Sequence, residues 1–458
     1  MKIKQGVFKA YDIRATYPDG VNEELAFRIG QAFVKFLKKT NKNKRKSRLK
    51  IVVGQDNRLS SPSLFKSLTK GIIESGADVI DIGLSPAPMF YFGVAFYGFD
   101  GGIIVTSSHN PAKYNGFKLV REKAIPISEV TGLKVIKKLT QDKPVNVKKK
   151  GKITKKNISK DYIRFNLEGF DFKKFKPFKI VIDTANSVSG VIIPDIFKKT
   201  PFKIYSLFHE LDGSFPNHEP DPMKEENLRS LRKEVSKTKS DLGVAFDGDG
   251  DRIVFITEKG EIITGDIIST LIADIILKEN KGGKVIYDVR SSNIFKETIE
   301  KNGGIALPNR IGHSFIKERM RKENIFFAGE FSSHYYSKDH YFCECPFWIL
   351  FLILKSMSEK NKTFSQLVEP FKKYFHSGEI NFTVKDKKKI LKILEKKYGK
   401  NKKVLKVDGI KIDFGDWWFN LRLSNTEPLV RLVLEAKTKE ILEKRKEELI
   451  SFIKKSDN

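Results

Sequence analysis

The stretch GGIIVTSSHNPAKYNGFK, residues 101–118, decides how this chain is read. An unbroken apolar run enters two serines, a histidine, an asparagine and a proline, then a glycine turn and a lysine. A run of that length, closed by polar turn residues, is a buried strand ending in a loop. The pattern repeats upstream. LKIVVGQD (49–56) is a strand entering a turn, SLFKSLTKGIIESG (63–76) has the spacing of an amphipathic helix, and ADVIDIGLS (77–85) is the next strand. Strands alternating with helices at this spacing predict βαβ units, an α/β fold with mixed, largely parallel sheets.

Beyond the basic stretch VKKKGKITKK (147–156) the same grammar restarts. FKIVIDTANSVSG (178–190) and DLGVAFDGDGDR (241–252) are strands running into polar turns. After EIITGD it restarts again, with GGKVIYDV (282–289) a strand, IFKETIEKNGG (294–304) a helix and FFAGEFS (326–332) a strand end. From about residue 376 two lysine-rich helical segments bracket KVDGIKIDFGDWWFNLRLSNTEPLVRLVLEA (406–436), which reads as successive strands. Four domains are therefore expected: α/β units over 1–150, 151–256 and 257–375, and a smaller α+β domain over 376–458. The three α/β units are not visibly similar in sequence, so a repeat among them rests on architecture alone.

At 458 residues the chain exceeds what one core supports, and its 40% apolar content suits globular packing. Lys+Arg 86 against Asp+Glu 56 gives +30, a balance that invites nucleic acid. The lysine runs lie in separate segments without interleaved aromatics, and the run at 385–403 has helical apolar spacing with its lysines on the solvent face. A solvated basic surface is expected, with no specific nucleic acid. FWILFLIL (347–354), the longest apolar run, falls well short of the roughly 20 residues of a membrane span and reads as a buried helix. The N-terminus has no apolar signal region, and Cys343 and Cys345 are spaced poorly for a disulfide. A soluble, cytoplasmic protein with reduced thiols, off the membrane, is expected.

Chemistry concentrates in a few places. AFDGDGDRIVF sets Asp247, Asp249 and Asp251 at spacing two, three hard oxygen donors that suit Mg²⁺ when phosphate or water completes the shell. An EF-hand is excluded, because Arg252 stands at the sharp-turn glycine position and a strand precedes the loop. LRLSNTEPLVRL (421–432) gathers Arg422, Ser424, Asn425, Thr426 and Arg431 round a turn, an anion cradle of guanidinium and hydroxyl groups or else a capped turn. GEFSSHYY (329–336) puts Glu330, Ser332 and His334 at a strand end, where a carboxylate and a hydroxyl can address vicinal sugar hydroxyls. No G-x-S-x-G elbow surrounds Ser107 or Ser108. A serine accompanied by an acidic metal site and a phosphate cradle points to phosphoryl transfer, with the hydroxyl as carrier.

Seven stretches, FKAYDIR, VVGQDNRLSSP, VTSSHNPAKYNGFK, DGSFPNHEPDP, FDGDGDR, GEFSSHYY and DWWFNLRLSNTEPLVRL, follow one another along nearly the whole chain. In this order they resemble the α-D-phosphohexomutases, in particular the phosphomannomutase/phosphoglucomutase branch. The resemblance implies three α/β domains and a smaller C-terminal one around a cleft. It implies a reversible mutase acting on a small-molecule sugar phosphate through phosphoserine and a hexose 1,6-bisphosphate, as a monomer or dimer. By this resemblance the phosphoserine falls on Ser108, and Mg²⁺ on Asp247, Asp249, Asp251 and the Ser108 phosphate. Arg252 would lie beside the transferred phosphoryl group, with Glu330 and Ser332, and His334 close by, on the sugar. Arg422, Ser424, Asn425 and Thr426 would hold the distal phosphate, with Arg431 in the same cradle. Tyr11, Arg14, His109, Lys118 and His313 would line the cleft, with Lys118 and His313 as proton carriers.

Four positions depart from the family pattern: Ala15, Ala87, Ile311 and Ser333 stand where glycine, threonine, threonine and glycine are usual. None removes a proposed charge or nucleophile, though Ser333 adjoins the sugar loop. Mannose phosphate is the favoured substrate, with glucose phosphates also expected. The alternatives are a phosphosugar phosphatase, in which water takes the phosphoryl group, and a non-catalytic basic polyanion-binding protein on a mutase scaffold.

Overall fold

The computed structural model describes residues 3–40, 48–424 and 429–457. In its first sheet β1 (Ile13–Thr16), β2 (Lys50–Gln55), β3 (Asp78–Leu84), β4 (Gly101–Val105), β5 (Tyr114–Arg121) and β6 (Ile153–Lys155) stand in the order β1-β5-β4-β2-β3-β6. β2, β3, β4 and β6 run parallel, whereas β5 turns back against β4 and β1 against β5. β6 joins this sheet through Val79, Ile80 and Asp81, so the sheet extends past the boundary at residue 150 that the basic stretch suggested.

The second sheet holds β7 (Lys179–Asp183), β8 (Lys203–Leu207), β9 (Leu242–Phe246), β10 (Ile253–Thr257) and β11 (Ile262–Ile263), in the order β11-β10-β9-β7-β8. The third holds β12 (Lys284–Asp288), β13 (Ile305–Asn309), β14 (Phe327–Gly329), β15 (Tyr335–Ser337) and β16 (Cys343–Glu344), in the order β13-β12-β14-β15-β16. One topology serves all three. A central strand (β2, β7, β12) sends a helical crossover to a parallel neighbour on one side, and a second crossover to a parallel neighbour on the other (β4, β9, β14). The next strand then returns antiparallel. The repeat absent from the sequence is present in the connectivity.

The reason the parallel strands read as continuous apolar runs is that helices cover both faces. Every residue of β4 and of β9 is buried. One apolar cluster runs from Phe90 and Val94 in the first unit, through Phe202 and Phe246 in the second, to Phe347 and Phe351 in the third. Phe351 lies on the helix Pro346–Lys360, which contains the FWILFLIL run. Its ring meets Phe172, Phe197 and Phe202 at 5.2, 5.9 and 6.5 Å, so this helix is a wedge between units. Among the described residues no helix is long and apolar enough to cross a membrane. Cys343 and Cys345 are buried free thiols.

The fourth sheet is antiparallel throughout: β17 (Phe375–His376), β18 (Ile380–Thr383), β19 (Val404–Leu405), β20 (Ile410–Asp413), β21 (Trp417–Leu423) and β22 (Leu429–Ala436). Helices Lys387–Tyr398 and Lys439–Asp457 complete a core separate from the clusters of the α/β units. The lysine-rich segments are thus amphipathic helices of this unit.

Candidate active site

The shared topology places the three chemical loops at one equivalent position. Residues 106–113 follow β4, 247–252 follow β9 and 330–334 follow β14, each at the C-terminal end of the third parallel strand, before the chain returns antiparallel. Ligands in open α/β sheets bind beyond strand C-termini, and here three such ends converge. The Ala87 amide donates to Asp249 O at 2.8 Å and the Ile253 amide to Ser333 O at 3.3 Å, stitching the second unit to both neighbours. Gly248 is glycine for a local reason: a Cβ there would come within 2.3 Å of Ser108 O.

At the seam, the Ser108 hydroxyl donates to Asp247 Oδ2 at 2.7 Å, with His109 Nδ1 at 3.3 Å. Ser108 itself is buried and held at φ 50°, in the left-handed region, where a non-glycine residue is strained and such strain gathers at functional sites. Asp247, Asp249 and Asp251 are 0, 0 and 3% exposed, and one carboxylate oxygen from each lies within 4.8 Å of the others. Burial, then the like charges of Asp251 and Asp249, push Asp247 well above the usual carboxylate range. Burial acts on Asp251 in the same sense, but Lys118 and His334 overcome it and hold that carboxyl well below the range.

Lys118 crosses from β5 to put its Nζ 2.7 Å from Asp249 Oδ2 and 2.5 Å from Asp251 Oδ2. Burial opposes its charge, yet these two aspartates raise its pKa well above the ordinary value. Asp249 Oδ1 is buried without a hydrogen-bond partner among the described residues. A buried acidic cluster that recruits an ammonium and still leaves an acceptor open has the donor chemistry of a hard-cation site.

The third unit closes over this seam. His334 Nε2 stands 3.2 Å from Asp251 Oδ1 and accepts from Arg252 Nε at 3.3 Å, while its Nδ1 lies 3.4 Å from Glu330 Oε2 and 3.2 Å from Ser332 Oγ. Tyr336 Oη donates to Glu330 Oε2 at 2.6 Å, and the Gly312 amide to Oε1 at 3.2 Å. His313 opens the next helix, with its ring 5.1 Å from that of Tyr11. Both its ring nitrogens are buried without a partner among the described residues. Burial, then Lys317 and Lys118, push its pKa well below the ordinary value, which favours the neutral ring. His109 is likewise lowered, by burial and by Arg252 and Arg14.

One cleft of about 1390 Å³ takes in Tyr11, Arg14, Ser108, His109, Lys118, Asp251, Arg252, His313, Glu330, Ser332, His334, Arg422 and Arg431. Asp247 and Asp249 lie beneath Ser108 and do not line it. Ser424 is buried, its amide donating to Leu429 O at 2.9 Å, and it does not line the cleft either. Asn425 and Thr426 lie outside the described residues.

Three residues in this site had no role in the sequence reading. Arg58 is 1% exposed and donates to Ser108 O, Asn110 O, Pro111 O and Tyr114 O at 2.7, 2.6, 2.8 and 3.1 Å, with Nε on Asp56 Oδ2 at 3.1 Å. This one guanidinium ties down the serine loop. Arg290 pairs with Asp288 at 2.8 Å and enters the cleft, and Glu379 meets the arginines of the fourth unit. Only the motif VVGQDNRLSSP, which contains Arg58, carried a signal.

Three α/β units that present a serine loop, an acidic loop and a loop bearing Glu330, Ser332 and His334 from equivalent strand ends, with an arginine-bearing fourth unit, define the phosphohexomutase class. Models of the family match in series: "Phosphoglucomutase/phosphomannomutase, alpha/beta/alpha domain I" over residues 5–145, domain II over 160–260, domain III over 264–374 and the C-terminal domain over 379–451. The chain belongs to the phosphoglucomutase/phosphomannomutase family. It is 39% identical to a phosphomannomutase of Vibrio cholerae and 40% identical to one of Methanocaldococcus jannaschii, each over 98% of both chains. A phosphoglucomutase/phosphomannomutase family protein of Burkholderia thailandensis superposes with a TM-score of 0.90 at 29% identity, covering 100% of this chain and 99% of that one.

Proposed function

We propose that the chain interconverts hexose 1-phosphate and hexose 6-phosphate, with mannose phosphates favoured and glucose phosphates also accepted. Phosphorylated Ser108 and a hexose 1,6-bisphosphate held in the cleft are the intermediates. The observation that carries this reading is the Ser108 hydroxyl seated on Asp247 at 2.7 Å, inside a buried acidic cluster. The same cleft reaches the arginines of the fourth unit. The names of the relatives support mannose.

In one half-reaction a sugar hydroxyl attacks the phosphorus on Ser108. Its proton passes to His313, and as the Oγ–P bond breaks the serine oxygen takes a proton from Lys118, the other candidate carrier lining the cleft. Lys118 and Arg252 neutralise charge on the moving phosphoryl group, and His109 adjoins the same oxygen. Glu330, Ser332 and His334 orient the sugar, and Tyr11 and Arg14 form the facing wall. Arg422 and Arg431, with Ser424 and the adjoining Asn425 and Thr426, hold the phosphate that is not reacting. Asp247, Asp249, Asp251 and the Ser108 phosphate would hold Mg²⁺, which when bound supplies further charge neutralisation at the phosphoryl group. After the bisphosphate turns round, the same groups return its other phosphate to Ser108.

The test is conversion of mannose 1-phosphate and glucose 1-phosphate to their 6-phosphates with Mg²⁺ and catalytic hexose 1,6-bisphosphate, alongside Ser108→Ala. Serine-dependent isomerisation is expected, faster with mannose. Release of phosphate without isomerisation establishes a phosphatase instead, and salt-sensitive polyanion binding indifferent to Ser108→Ala establishes the non-catalytic reading.

A further inference from the structure

The arginines at the far end of the cleft already hold an anion from the protein itself. Arg422 on β21 donates to Glu379 Oε2 at 2.6 Å, Arg431 on β22 donates to Glu379 Oε1 at 3.0 Å, and Arg290 Nη1 of the third unit lies 3.7 Å from Oε2. Arg422 and Arg431 are direct partners in the register of the two strands, and like charges set opposite one another repel unless an anion lies between them. Glu379 supplies it: burial raises its pKa, but Arg290 and Arg422 outweigh that and hold it below the usual range. The carboxylate follows Gly378, at φ +68° with nothing near its missing Cβ, on the short turn between β17 and β18. Arg422 Nε is buried without a hydrogen-bond partner among the described residues. Three guanidinium groups from two units therefore converge on one monoanion. A phosphate dianion would bring twice the charge and more acceptor oxygens to the same donors.

We propose that Glu379 is an internal anion seated in the distal phosphate subsite, displaced when the substrate's non-reacting phosphate arrives and returning when it leaves. This rests on the cradle being that subsite. A mutase must let go of its bisphosphate to turn it, and a subsite of bare arginines would hold it too long. By competing for the same guanidinium groups, Glu379 weakens the grip on phosphate and sets KM against turnover.

Calorimetric titration of the full chain with inorganic phosphate tests this without reference to catalysis. Glu379→Gln, which keeps the shape and loses the charge, is expected to tighten phosphate binding about tenfold, roughly 1.4 kcal/mol. With hexose phosphate it should lower KM and kcat together. Glu379→Asp, too short to span both arginines, should fall between the two and serves if the Gln variant folds poorly. Unchanged or weaker phosphate binding in both variants overturns the proposal, because a carboxylate that merely orders the arginines would lower affinity when removed. Binding that depends on Arg422 yet ignores Glu379 removes this proposal alone. Binding that ignores Arg422→Ala removes the assignment of the subsite as well.

Discussion

The Ser108 hydroxyl and the Asp247 carboxylate meet at 2.7 Å across the junction of two sheets, one from the loop after β4 and the other from the loop after β9. Serine loop and acidic cluster are therefore contributed by different units, and this contact forms only when both loops are seated. That dependence gives each loop a measurable consequence.

Removal of divalent metal should cost stability as well as activity. Asp247, Asp249 and Asp251 are all buried, and an ion bound only by the folded chain stabilises it by about 2.7 kcal/mol at a hundredfold excess over Kd. Thermal unfolding with Mg²⁺ and with EDTA should show a higher Tm in the first, and Asp249→Asn should abolish the difference. Equal midpoints in wild type would contradict the assignment of the acidic cluster.

Arg58 should act through Ser108 without touching substrate. Arg58→Met leaves Asp56 buried without the guanidinium it pairs with, though still accepting from Ser61 Oγ, a loss worth about 3–5 kcal/mol. It also frees the carbonyls of Ser108, Asn110 and Pro111 in the serine loop and of Tyr114 at the start of β5. The expected kinetic signature is a kcat lowered by about a hundredfold with KM little changed, as for a misplaced nucleophile. Arg58→Lys should recover part of the stability and little of kcat, since an ammonium cannot donate in a fork. A variant that loses stability but keeps kcat would reduce Arg58 to a packing role.

Acid should destabilise the fold partly through His340. Its ring packs on Phe165 at 5.0 Å and Trp348 at 5.6 Å, with both nitrogens buried and unpartnered among the described residues. Burial pushes its pKa down to about 3. An unfolded histidine ionises near pH ~6.5, so the folded state alone keeps the ring neutral below that point. The contribution is complete above about pH 6.5 and is lost as pH falls toward 3, at most ~1.4 kcal/mol per pH unit. Urea midpoints at about pH 7.5 and about pH 5 should differ less in His340→Phe than in wild type. Equal differences would contradict this.

What the sequence made legible follows from how locally each feature is encoded. The loops after β4, β9 and β14 are contiguous polar stretches behind buried strands, so their chemistry shows in a few adjacent letters. Arg58 and Glu379 carry no such mark. Arg58 acts 50 residues away on Ser108, and Glu379 lies 43 residues from Arg422, so only the fold brings either pair together. Arg290 resembles any arginine after a strand until the third sheet turns it into the cleft. The topological repeat was hidden for a related reason: strand order depends on which buried runs pair, and Val, Ile and Leu residues satisfy many pairings equally. Lys118 was read as a proton carrier from its place in the motif, but its position between Asp249 and Asp251 is a property of the assembled seam.

In the proposed reaction Ser108 carries the phosphoryl group between sugar oxygens. Incubating the protein with hexose 1,6-bisphosphate, mapping the phosphorylated peptide by mass spectrometry, and chasing with mannose 1-phosphate in a single turnover tests it most directly. One phosphoryl group is expected on Ser108, lost in the chase as mannose 1,6-bisphosphate forms in equal amount. Phosphorylation elsewhere, or loss from Ser108 as free phosphate with no bisphosphate formed, would contradict it.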